Sequence, residues 1–454
     1  MIRTWCLVSR EYPPRSGGGI GTYASIFARL LGDHGIRVVV VTAHAAPRSD
    51  EADGQIHVIR LPLNADETWI GPHPTIDTPE YRKMWHELGP HSVFSAQVAS
   101  LVPELLDRFG VDAIEGCETG APLWHLLHDR SAGKWAADVR VLTHAHSPSL
   151  WIEGLNRRLE QTTAMHELQR MEREQTRASD AVVTPSFGMQ RWLADHFGVN
   201  AGVIRYPFPL TDQTDDDDDD TNNDETGKHT SVLFVGRLEY RKGIDTLLKA
   251  WPTVKADARL TIAGSDTTDY RINAPIGATL LRDLDRVEHI GPQTPDRIRS
   301  LQAAASVVVV PSPDDNFPFT CIEAMASGRV VVAADRGGAS EMIEHGRSGF
   351  LFKPGDAKGL ADTLDRALAT TANERSAMER AARERIGDIC DPETVLAARL
   401  SHAEGASGSV VASDAASGVP RWLRSLGARS AAARDRRPLA RRLIDRLFRA
   451  SRNG

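Results

Sequence analysis

The chain has 454 residues, of which 41% are hydrophobic and 25% charged, a composition typical of a globular protein with more than one core. Its formal net charge of −7 averages an acidic run with an arginine-rich C-terminus, so the whole-chain charge does not indicate a partner. No apolar stretch is long enough for a signal peptide or a membrane span, and four widely spaced cysteines without a C-x-x-C pair argue against a disulfide framework or a zinc knuckle. We therefore expect a cytoplasmic protein with reduced thiols.

Short β-rich runs alternate with longer helical patterns over residues 1–205. WCLVS precedes a glycine loop and the helical pattern IGTYASIFARLLGDHG, and further strand candidates are IRVVVVTA, IHVIRLP, VDAIEGC and VRVLTHAH. This alternation predicts parallel strands joined by helical crossovers. We predict one doubly wound, Rossmann-like domain for this part of the chain.

We interpret residues 206–229 as an acidic linker. Its acidic part contains six consecutive aspartates at 215–220 and has no apolar residues that could pack. The strand and helix rhythm then restarts over residues 230–385 with SVLFVGRL, RLTIAG, VEHIGP, ASVVVVPS, RVVVAA and GFLFKPG. We predict a second Rossmann-like domain that faces the first, with the ligand site in the cleft between them. Residues 386–403 are expected to form a C-terminal helix region that packs back.

The remaining segment, 404–454, begins with small residues and ends in an arginine-rich tail, which has eleven arginines and two aspartates from residue 420 onward. Four apolar residues fall on one helical face there: Leu439, Leu443, Leu447 and Phe448. A basic amphipathic helix of this kind favours an anionic membrane surface as partner, at the inner face of the membrane. Nucleic acid is the alternative partner, but no aromatic interleaving or reading module accompanies the arginines, so no nucleic acid is expected.

The N-terminal loop SGGGIGTYA contains G-x-G-x-x-A at Gly19, Gly21 and Ala24, a pattern also found in dinucleotide folds. About eight residues, including Pro13 and Pro14, separate this loop from its strand, whereas a dinucleotide turn follows its strand directly. The second strand also does not end in the acid that would bind an adenine ribose. An NAD-dependent oxidoreductase is therefore the less favoured interpretation. The loop amides can instead approach an anion at a helix N-terminus, although a plain turn is the alternative.

Arg237 and Lys242 lie five positions apart in FVGRLEYRKGIDTLLKA, between a predicted strand and a predicted helix. A guanidinium and an ammonium on one strand-end loop can share the charge of a diphosphate. The alternative is a pair of surface cations, which ordinarily contributes little.

Asp315 and Glu323 lie eight positions apart in DNFPFTCIEAM, directly after the apolar run SVVVVPSP. Acids at the carboxyl end of a buried strand can face a ligand in an open α/β sheet. Two alternatives stay open: Glu323 stands in the first turn of a helix and compensates its dipole, and Asp315 and Asn316 form a turn.

His144 and His146 end a predicted strand and point to the same face of the sheet. A metal site is an alternative, but no third ligand cluster accompanies them, and hydrogen-bonded core histidines are common. The position at the cleft favours a functional role.

Taken as a set, these segments resemble the retaining, nucleotide-sugar-dependent glycosyltransferases of family four, which have the GT-B fold. The resemblance covers roughly residues 5–385 and rests on YPPRSGGGIGTYASIFARLL, EREQTRASDAVVTPS, FVGRLEYRKGIDTLLKAW and PSPDDNFPFTCIEAMASGRVVVAADRGGASEMIEHGRSGFLFKPGD. It implies an α/β architecture of two facing doubly wound domains. It also implies an enzyme that moves a sugar, such as a hexose, from a nucleotide-sugar donor to an acceptor in polysaccharide or glycolipid biosynthesis.

The resemblance also assigns roles to matching positions. Arg237 and Lys242 would bind the donor diphosphate, and Glu323 would hold the donor ribose. Asp315 occupies the place of the first acid of the family's E-x7-E motif and counts among the catalytic candidates. The donor sugar would lie near the backbone of the segment Asn316, Phe317, Pro318 and Phe319.

Gly18 and Gly19 match the glycine loop that borders the donor phosphates and the acceptor. His146, in the H-S-P segment, resembles the histidine that contacts the donor sugar, and His144 is the alternative because the H-A-H doublet blurs the alignment. The family implies no cofactor and no metal, and a front-face mechanism in which the donor phosphate takes the acceptor proton.

Two departures from the family pattern carry consequences. Asp315 is one methylene shorter than the more usual glutamate, which makes a non-catalytic nucleotide-sugar-binding protein the alternative function. The segment VIRYPFPL replaces an asparagine-glycine turn before the linker. The donor sugar and base, the linkage and an acceptor, expected to be lipid-linked, are not specified by these motifs.

Overall fold

A computed structural model of the chain describes residues 2–14, 18–44, 47–63, 88–135, 138–158, 162–210, 230–269, 274–282 and 284–405. The aspartate run of the predicted acidic linker and the arginine-rich tail lie outside the described residues. Both large sheets lie in one compact unit of the chain.

The first half of the chain forms an eight-stranded sheet. Its strands are β1 (Thr4–Val8), β2 (Arg37–His44), β3 (Ser49–Asp53), β4 (Ile56–Pro62), β5 (Ala113–Cys117), β6 (Arg140–His144), β7 (Ala181–Thr184) and β8 (Gly202–Val203). The order across the sheet is β3-β4-β2-β1-β5-β6-β7-β8, and only the edge pair of β3 with β4 is antiparallel. Buried valine runs such as that of β2 explain the central strands, because parallel strands are covered on both faces.

Seven helices within the described ranges connect these strands: α1 (Gly19–Asp33), α2 (Pro90–Ser100), α3 (Val102–Phe109), α4 (Trp124–Ser131), α5 (Ser149–Leu155), α6 (Thr163–Ala178) and α7 (Phe187–Phe197). Side-chain caps fix where two of them begin: Thr162 accepts a hydrogen bond from Met165 N, and Ser186 accepts one from Met189 N. The parallel, helix-connected sheet predicted from the sequence is confirmed.

The second half forms a six-stranded sheet in which all neighbouring strands are parallel. Its strands are β9 (Thr230–Val235), β10 (Ala258–Ala263), β13 (Val287–Gly291), β14 (Val307–Val310), β15 (Val330–Ala334) and β16 (Phe350–Phe352), in the order β13-β10-β9-β14-β15-β16. A separate short hairpin consists of β11 (Thr268–Asp269) and β12 (Ala274–Pro275).

The helices of this half are α8 (Ile244–Ala250), α9 (Ile276–Leu280), α10 (Pro295–Ala304), α11 (Phe319–Ala326), α12 (Gly337–Met342), α13 (Ala357–Leu368), α14 (Ala372–Ile389) and α15 (Pro392–Gly405), with 3-10 turns at Tyr240–Lys242 and Trp251–Thr253. The boundary expected at residue 386, between the second Rossmann-like domain and the C-terminal helix region, falls inside α14. Within the described ranges, none of the helices combines the length and the apolar character that spanning a bilayer requires.

The last helix, α15, returns to the first half of the chain. Its Arg399 forms an ion pair of 2.5 Å with Glu115 of β5, and its Glu404 accepts a hydrogen bond from Ile2 N at 3.1 Å. A single apolar cluster extends from Trp5 and Val38 of the first sheet to Val308 and other side chains of the second. The two sheets are therefore joined both by apolar packing and by the returning helix.

Candidate active site

Lys242 and Asp315 meet where two neighbouring strands of the second sheet end. Lys242 closes the 3-10 turn that follows β9, and Asp315 lies in the loop after β14. Lys242 Nζ and Asp315 Oδ2 are 2.7 Å apart. Gly243 permits this approach, because it has a left-handed φ of 73° and a Cβ at this position would collide with the carbonyl oxygen of Pro311.

The ion pair of Lys242 and Asp315 is largely screened from solvent, with 24% and 13% of the side chains exposed. Burial lowers the pKa of Lys242, and the charge of Asp315 opposes that effect. Burial raises the pKa of Asp315, but the charges of Lys242 and Arg241 outweigh it, so the pKa lies below its usual value. Each group thus keeps the other charged.

Arg237 follows β9 and lies at the more open side of the same loop. Its Nε is 2.8 Å from Glu239 Oε1, and 43% of its side chain is exposed. Glu239 also pairs with Arg241 Nε at 2.5 Å. The structure therefore places three cations on the loop that the sequence predicted to bind a diphosphate, namely Arg237, Arg241 and Lys242.

The side chain of Asn316 connects the two halves of the chain. Its Nδ2 donates to the carbonyl oxygens of Ala145 and His146, at 3.1 and 2.8 Å, and its Oδ1 accepts from Ser186 Oγ at 2.5 Å. Since this side chain is 4% exposed, these bonds are well shielded from water. The amide side chain is thereby engaged in holding the two halves together.

His146 lies just after β6 and is held there by contacts with Glu118 and Tyr206. Its backbone N donates to Glu118 Oε2 at 2.7 Å, and its ring Nδ1 lies 2.6 Å from the hydroxyl oxygen of Tyr206. Glu118 also accepts from Ser147 N, so one buried carboxylate orients two successive amides. Burial lowers the pKa of His146 well below its usual value, and the ring is therefore neutral at physiological pH.

His144 lies behind His146, with the ring centroids 4.3 Å apart and the rings stacked. The side chain is 1% exposed, and its Nδ1 is 3.5 Å from Glu115 Oε1. Burial, followed by the charge of Arg399, lowers the pKa of His144 well below its usual value. This position suits a supporting ring more than a group that touches a ligand, so His146 is the better candidate of the two.

The glycine loop of the first half touches the second half at Phe319. A Cβ on Gly19 would lie 3.0 Å from the ring of Phe319, and a Cβ on Gly18 would lie 3.0 Å from Glu11 Oε2. Phe319 stacks on Tyr206 with ring centroids 4.9 Å apart, and Phe317 packs edge-on against the same ring at 5.8 Å. The side chains of Phe317 and Phe319 therefore form an aromatic wall against Tyr206.

Glu323 lies in the second turn of α11, because this helix begins at Phe319 after Pro318. The expectation that Glu323 stands in the first turn of its helix is therefore wrong, and so is the alternative role of compensating the helix dipole there. Burial raises the pKa of Glu323, while a hydrogen bond of 3.4 Å from Gln302 lowers it. No hydrogen bond within the described ranges joins Glu323 to the pair of Lys242 and Asp315.

Among the described residues, no group of three or more His, Cys, Asp or Glu side chains is arranged to hold a metal. Cys6, Cys117, Cys321 and Cys390 are all unpaired and buried. The basic loop after β9 is the part of this site that suits an anionic ligand.

Two residues of this site were missed by sequence reasoning. Tyr206 belongs to the segment VIRYPFPL, where only the departure from the family pattern marked the position. Glu118 lies after β5 in GCETG and had no motif to distinguish it. For both residues, the one available indication was a position shortly after a parallel strand.

Two family descriptions match this chain. Residues 17–206 match Glycosyltransferase Family 4, and residues 215–385 match Glycosyl transferases group 1. The chain is a family-four-like glycosyltransferase. The family predicted from the motifs is confirmed, and so is a transferase activity.

Similar proteins agree with this assignment. The glycosyltransferase is 26% identical over 420 residues to the glycogen synthase of Mycobacterium tuberculosis, which covers 86% of this chain and 92% of the relative. Sucrose-phosphate synthase from Thermosynechococcus elongatus superimposes with a TM-score of 0.66 at 21% identity, over 88% of this chain and 98% of that structure. Anabaena HepE in complex with UDP-glucose has a TM-score of 0.59 at 18% identity, over 88% and 99% of the two chains. These structures confirm the GT-B fold.

Proposed function

We propose that this glycosyltransferase moves a sugar from a nucleoside-diphosphate sugar to an acceptor with retention of anomeric configuration. One observation carries the proposal: two consecutive residues reach opposite sides of the cleft. Asp315 pairs with Lys242 on the side of the basic loop, and the side chain of Asn316 bonds the carbonyl oxygen of His146 on the other side. A ligand between Lys242 and His146 would thus lie across the backbone of this segment.

The donor would follow the line of these groups. Its diphosphate would bind Lys242 and Arg237, its transferred sugar would lie near the backbone of residues 316–319 and the ring of His146, and its ribose would meet Glu323. The partly buried setting of Lys242 supports this role, because a cation in a site with little water stabilises negative charge strongly. The likeness to Anabaena HepE, a structure in complex with UDP-glucose, supports a uridine nucleotide as the first donor to test.

In the proposed step, the bond from the anomeric carbon to the diphosphate oxygen breaks as the bond to the acceptor oxygen forms on the same face of the sugar. The acceptor hydroxyl proton passes to the departing phosphate oxygen. Negative charge grows on the diphosphate during this step, and Lys242 and Arg237 would stabilise it without a metal ion. Asp315 would act as a binding group, since its carboxylate pairs with Lys242.

The donor assignment can be tested with UDP-glucose, GDP-mannose and ADP-glucose as probes, by measuring slow release of nucleotide and the affinity for the free nucleotide. We expect turnover with one donor, and a weaker affinity for its nucleotide in Glu323→Ala. Glu384→Ala is the matched control, because Glu384 is an exposed acid on α14. An unchanged nucleotide affinity in Glu323→Ala would contradict the ribose contact.

The stereochemistry can be tested separately from the donor. Proton NMR of the newly released or transferred sugar reports the anomeric configuration before mutarotation. We expect the configuration of the donor. The opposite configuration would contradict a retaining enzyme.

We further propose that the acceptor is lipid-linked, in polysaccharide or glycolipid assembly, and that the arginine-rich tail binds an anionic membrane surface. The support is the sequence pattern of 420–454, a segment that lies outside the described residues. The last described helix ends at Gly405, so a truncation after this residue keeps α15 whole. The full chain should sediment with vesicles that contain phosphatidylglycerol and the truncated chain should not, whereas equal sedimentation of both would contradict the role of the tail.

A further inference from the structure

Tyr206 occupies the centre of the candidate site, although no motif marks it. It follows β8 in the segment VIRYPFPL and is 4% exposed. Its ring stacks on His146, with centroids 5.4 Å apart, and on Phe319 at 4.9 Å. Tyr206 therefore contacts both the histidine of the first half and the aromatic wall of the second.

The hydroxyl of Tyr206 has one hydrogen-bond partner among the described residues, His146 Nδ1 at 2.6 Å. Burial, together with the nearby charges of Glu118 and Asp315, raises the pKa of Tyr206 well above its usual value, so the phenol keeps its proton. Since this proton has no other acceptor there, the hydroxyl donates it to Nδ1. A neutral imidazole that accepts at Nδ1 carries its own proton on Nε2.

We propose that Tyr206 is a positioning residue that fixes His146 as the Nε2–H tautomer and sets the plane of its ring. The other hydrogen bonds of this histidine act on its backbone, because Glu118 accepts from its N–H and Asn316 donates to its carbonyl oxygen. His144 stacks on the ring, but among the described residues Tyr206 is the group that forms a hydrogen bond with it. Nε2–H is then the donor directed at an oxygen of the transferred sugar, a consequence that rests on the proposed function of His146.

The tautomer is directly measurable in the free protein. In a long-range proton–nitrogen spectrum of the full chain with 15N-labelled histidine, the cross-peaks of His146 are identified by their loss in His146→Ala. We expect the pattern of the Nε2–H tautomer in the wild type and a mixture of both tautomers in Tyr206→Phe. A wild-type spectrum of the Nδ1–H tautomer would overturn the inference. The tautomer is read in the wild-type protein, and His146→Ala serves only to assign the cross-peaks.

A double-mutant cycle separates this inference from the proposed function. With UDP-glucose or the donor selected by the screen, Tyr206→Phe should lower kcat about tenfold with little change in the donor KM, because the ring packing is kept and one hydrogen bond is lost. In the His146→Ala background, Tyr206→Phe should have no further effect. Equal thermal midpoints of Tyr206→Phe and the wild type would exclude a folding defect.

The outcomes are distinguishable. If His146→Ala lowers kcat and Tyr206→Phe does not, the inference is overturned and the proposed role of His146 stands. If Tyr206→Phe lowers kcat by the same factor with and without His146, Tyr206 acts by another route and the inference is also overturned. If His146→Ala leaves kcat unchanged, the proposed role of His146 fails and the positioning role fails with it.

Discussion

Lys242 and Asp315 form an ion pair of 2.7 Å between the loops that follow β9 and β14. The two residues are 73 positions apart in the chain, and the parallel pairing of these strands brings their carboxyl ends together. The pair therefore depends on the fold and not on local sequence. It holds a cation at the place where the sequence motif predicts one.

Removing Asp315 should make the ammonium group of Lys242 easier to deprotonate. Burial already lowers the pKa of Lys242, and the carboxylate opposes that effect, so Asp315→Ala should lower this pKa further. We expect slower donor turnover in Asp315→Ala and an alkaline decline of activity that begins at lower pH than in the wild type. A pH profile of kcat/KM for donor hydrolysis measures both.

Asp315→Glu provides the informative comparison, because it restores the longer acid that is usual in the family. It should keep the charge of Lys242 and retain more activity than Asp315→Ala. The exposed Asp388→Ala is the control for loss of one carboxylate. Identical pH profiles for Asp315→Ala and the wild type would contradict the coupling of the two charges.

Gly243 should not tolerate a side chain, because a Cβ at this position would collide with the carbonyl oxygen of Pro311. Its left-handed backbone angle is a second reason. Gly243→Ala would force a Cβ into the carbonyl of Pro311, whereas Gly346, with a similar φ of 77°, has open space around its Cβ position. We expect Gly346→Ala to cost about 1 kcal/mol of unfolding free energy, and Gly243→Ala to cost clearly more and to abolish turnover. Chemical denaturation of the two variants measures the difference, and equal losses would contradict the account of this loop.

Asn316→Ala should damage both stability and activity. The substitution removes the Asn316 donor from the carbonyl oxygen of His146, which costs about 1–3 kcal/mol for a buried group, whereas the carbonyl oxygen of Ala145 keeps the hydroxyl of Thr184 as a donor. It also frees the segment before Ser147 from the second half of the chain. We expect a lower thermal midpoint together with a reduced kcat for donor hydrolysis. A variant with full activity and an unchanged midpoint would contradict the bridging role.

His125 gives a prediction for the pH dependence of stability. Burial, followed by the charges of His128 and Lys134, lowers its pKa from the usual 6.5 to about 3. Between pH 6.5 and about pH 3, the unfolded chain therefore binds a proton at His125 that the folded chain does not bind. The contribution of neutral His125 to the free energy of unfolding is complete above pH 6.5 and is lost as the pH falls below that value. The size of the loss between pH 6.5 and pH 5 is about 2 kcal/mol.

Denaturation at several pH values tests this prediction as a difference between proteins. His125→Gln should show a shallower fall in unfolding free energy below pH 6.5 than the wild type, and the exposed His166→Gln should match the wild type. Burial raises the pKa of Glu118 to about 7 and that of Glu172 to about 8, so these acids contribute with the opposite sign in the same range. Because both acids are present in every variant, their contribution cancels in the comparison. Equal slopes for all three proteins would contradict the prediction.

The sequence was sufficient for most of the architecture, because valine-rich runs and glycine loops carry a strong local pattern. The central strands β1, β2, β5 and β6 coincide with predicted runs. The edge strand β3, with the sequence SDEAD, was not predicted, since it is polar and mostly exposed and owes its conformation to pairing with β4. Such edge strands have no apolar alternation for a sequence reading to detect.

The candidate site was predictable only where residues lie in a recognised motif. Lys242, Asp315 and His146 were identified in this way, but the contacts of Asn316 across the cleft and the hydroxyl of Tyr206 on His146 were not. Both contacts join residues more than fifty positions apart, so they arise from tertiary packing and not from local sequence. Glu323 lies in the second turn of α11 because this helix begins at Phe319. The turn residues before the helix did not reveal this starting point in the sequence.

The central claim is that Lys242 stabilises the leaving nucleotide of a sugar donor. The most direct measurement is the rate of UDP release from UDP-glucose, or of the nucleotide from the donor selected by the screen, by the wild type, Lys242→Ala and Lys249→Ala. Lys249 is the matched control, because it lies seven positions further along the chain with 66% of its side chain exposed. The account predicts a loss of about 100-fold or more for Lys242→Ala and a wild-type rate for Lys249→Ala. Equal rates in all three proteins would contradict it.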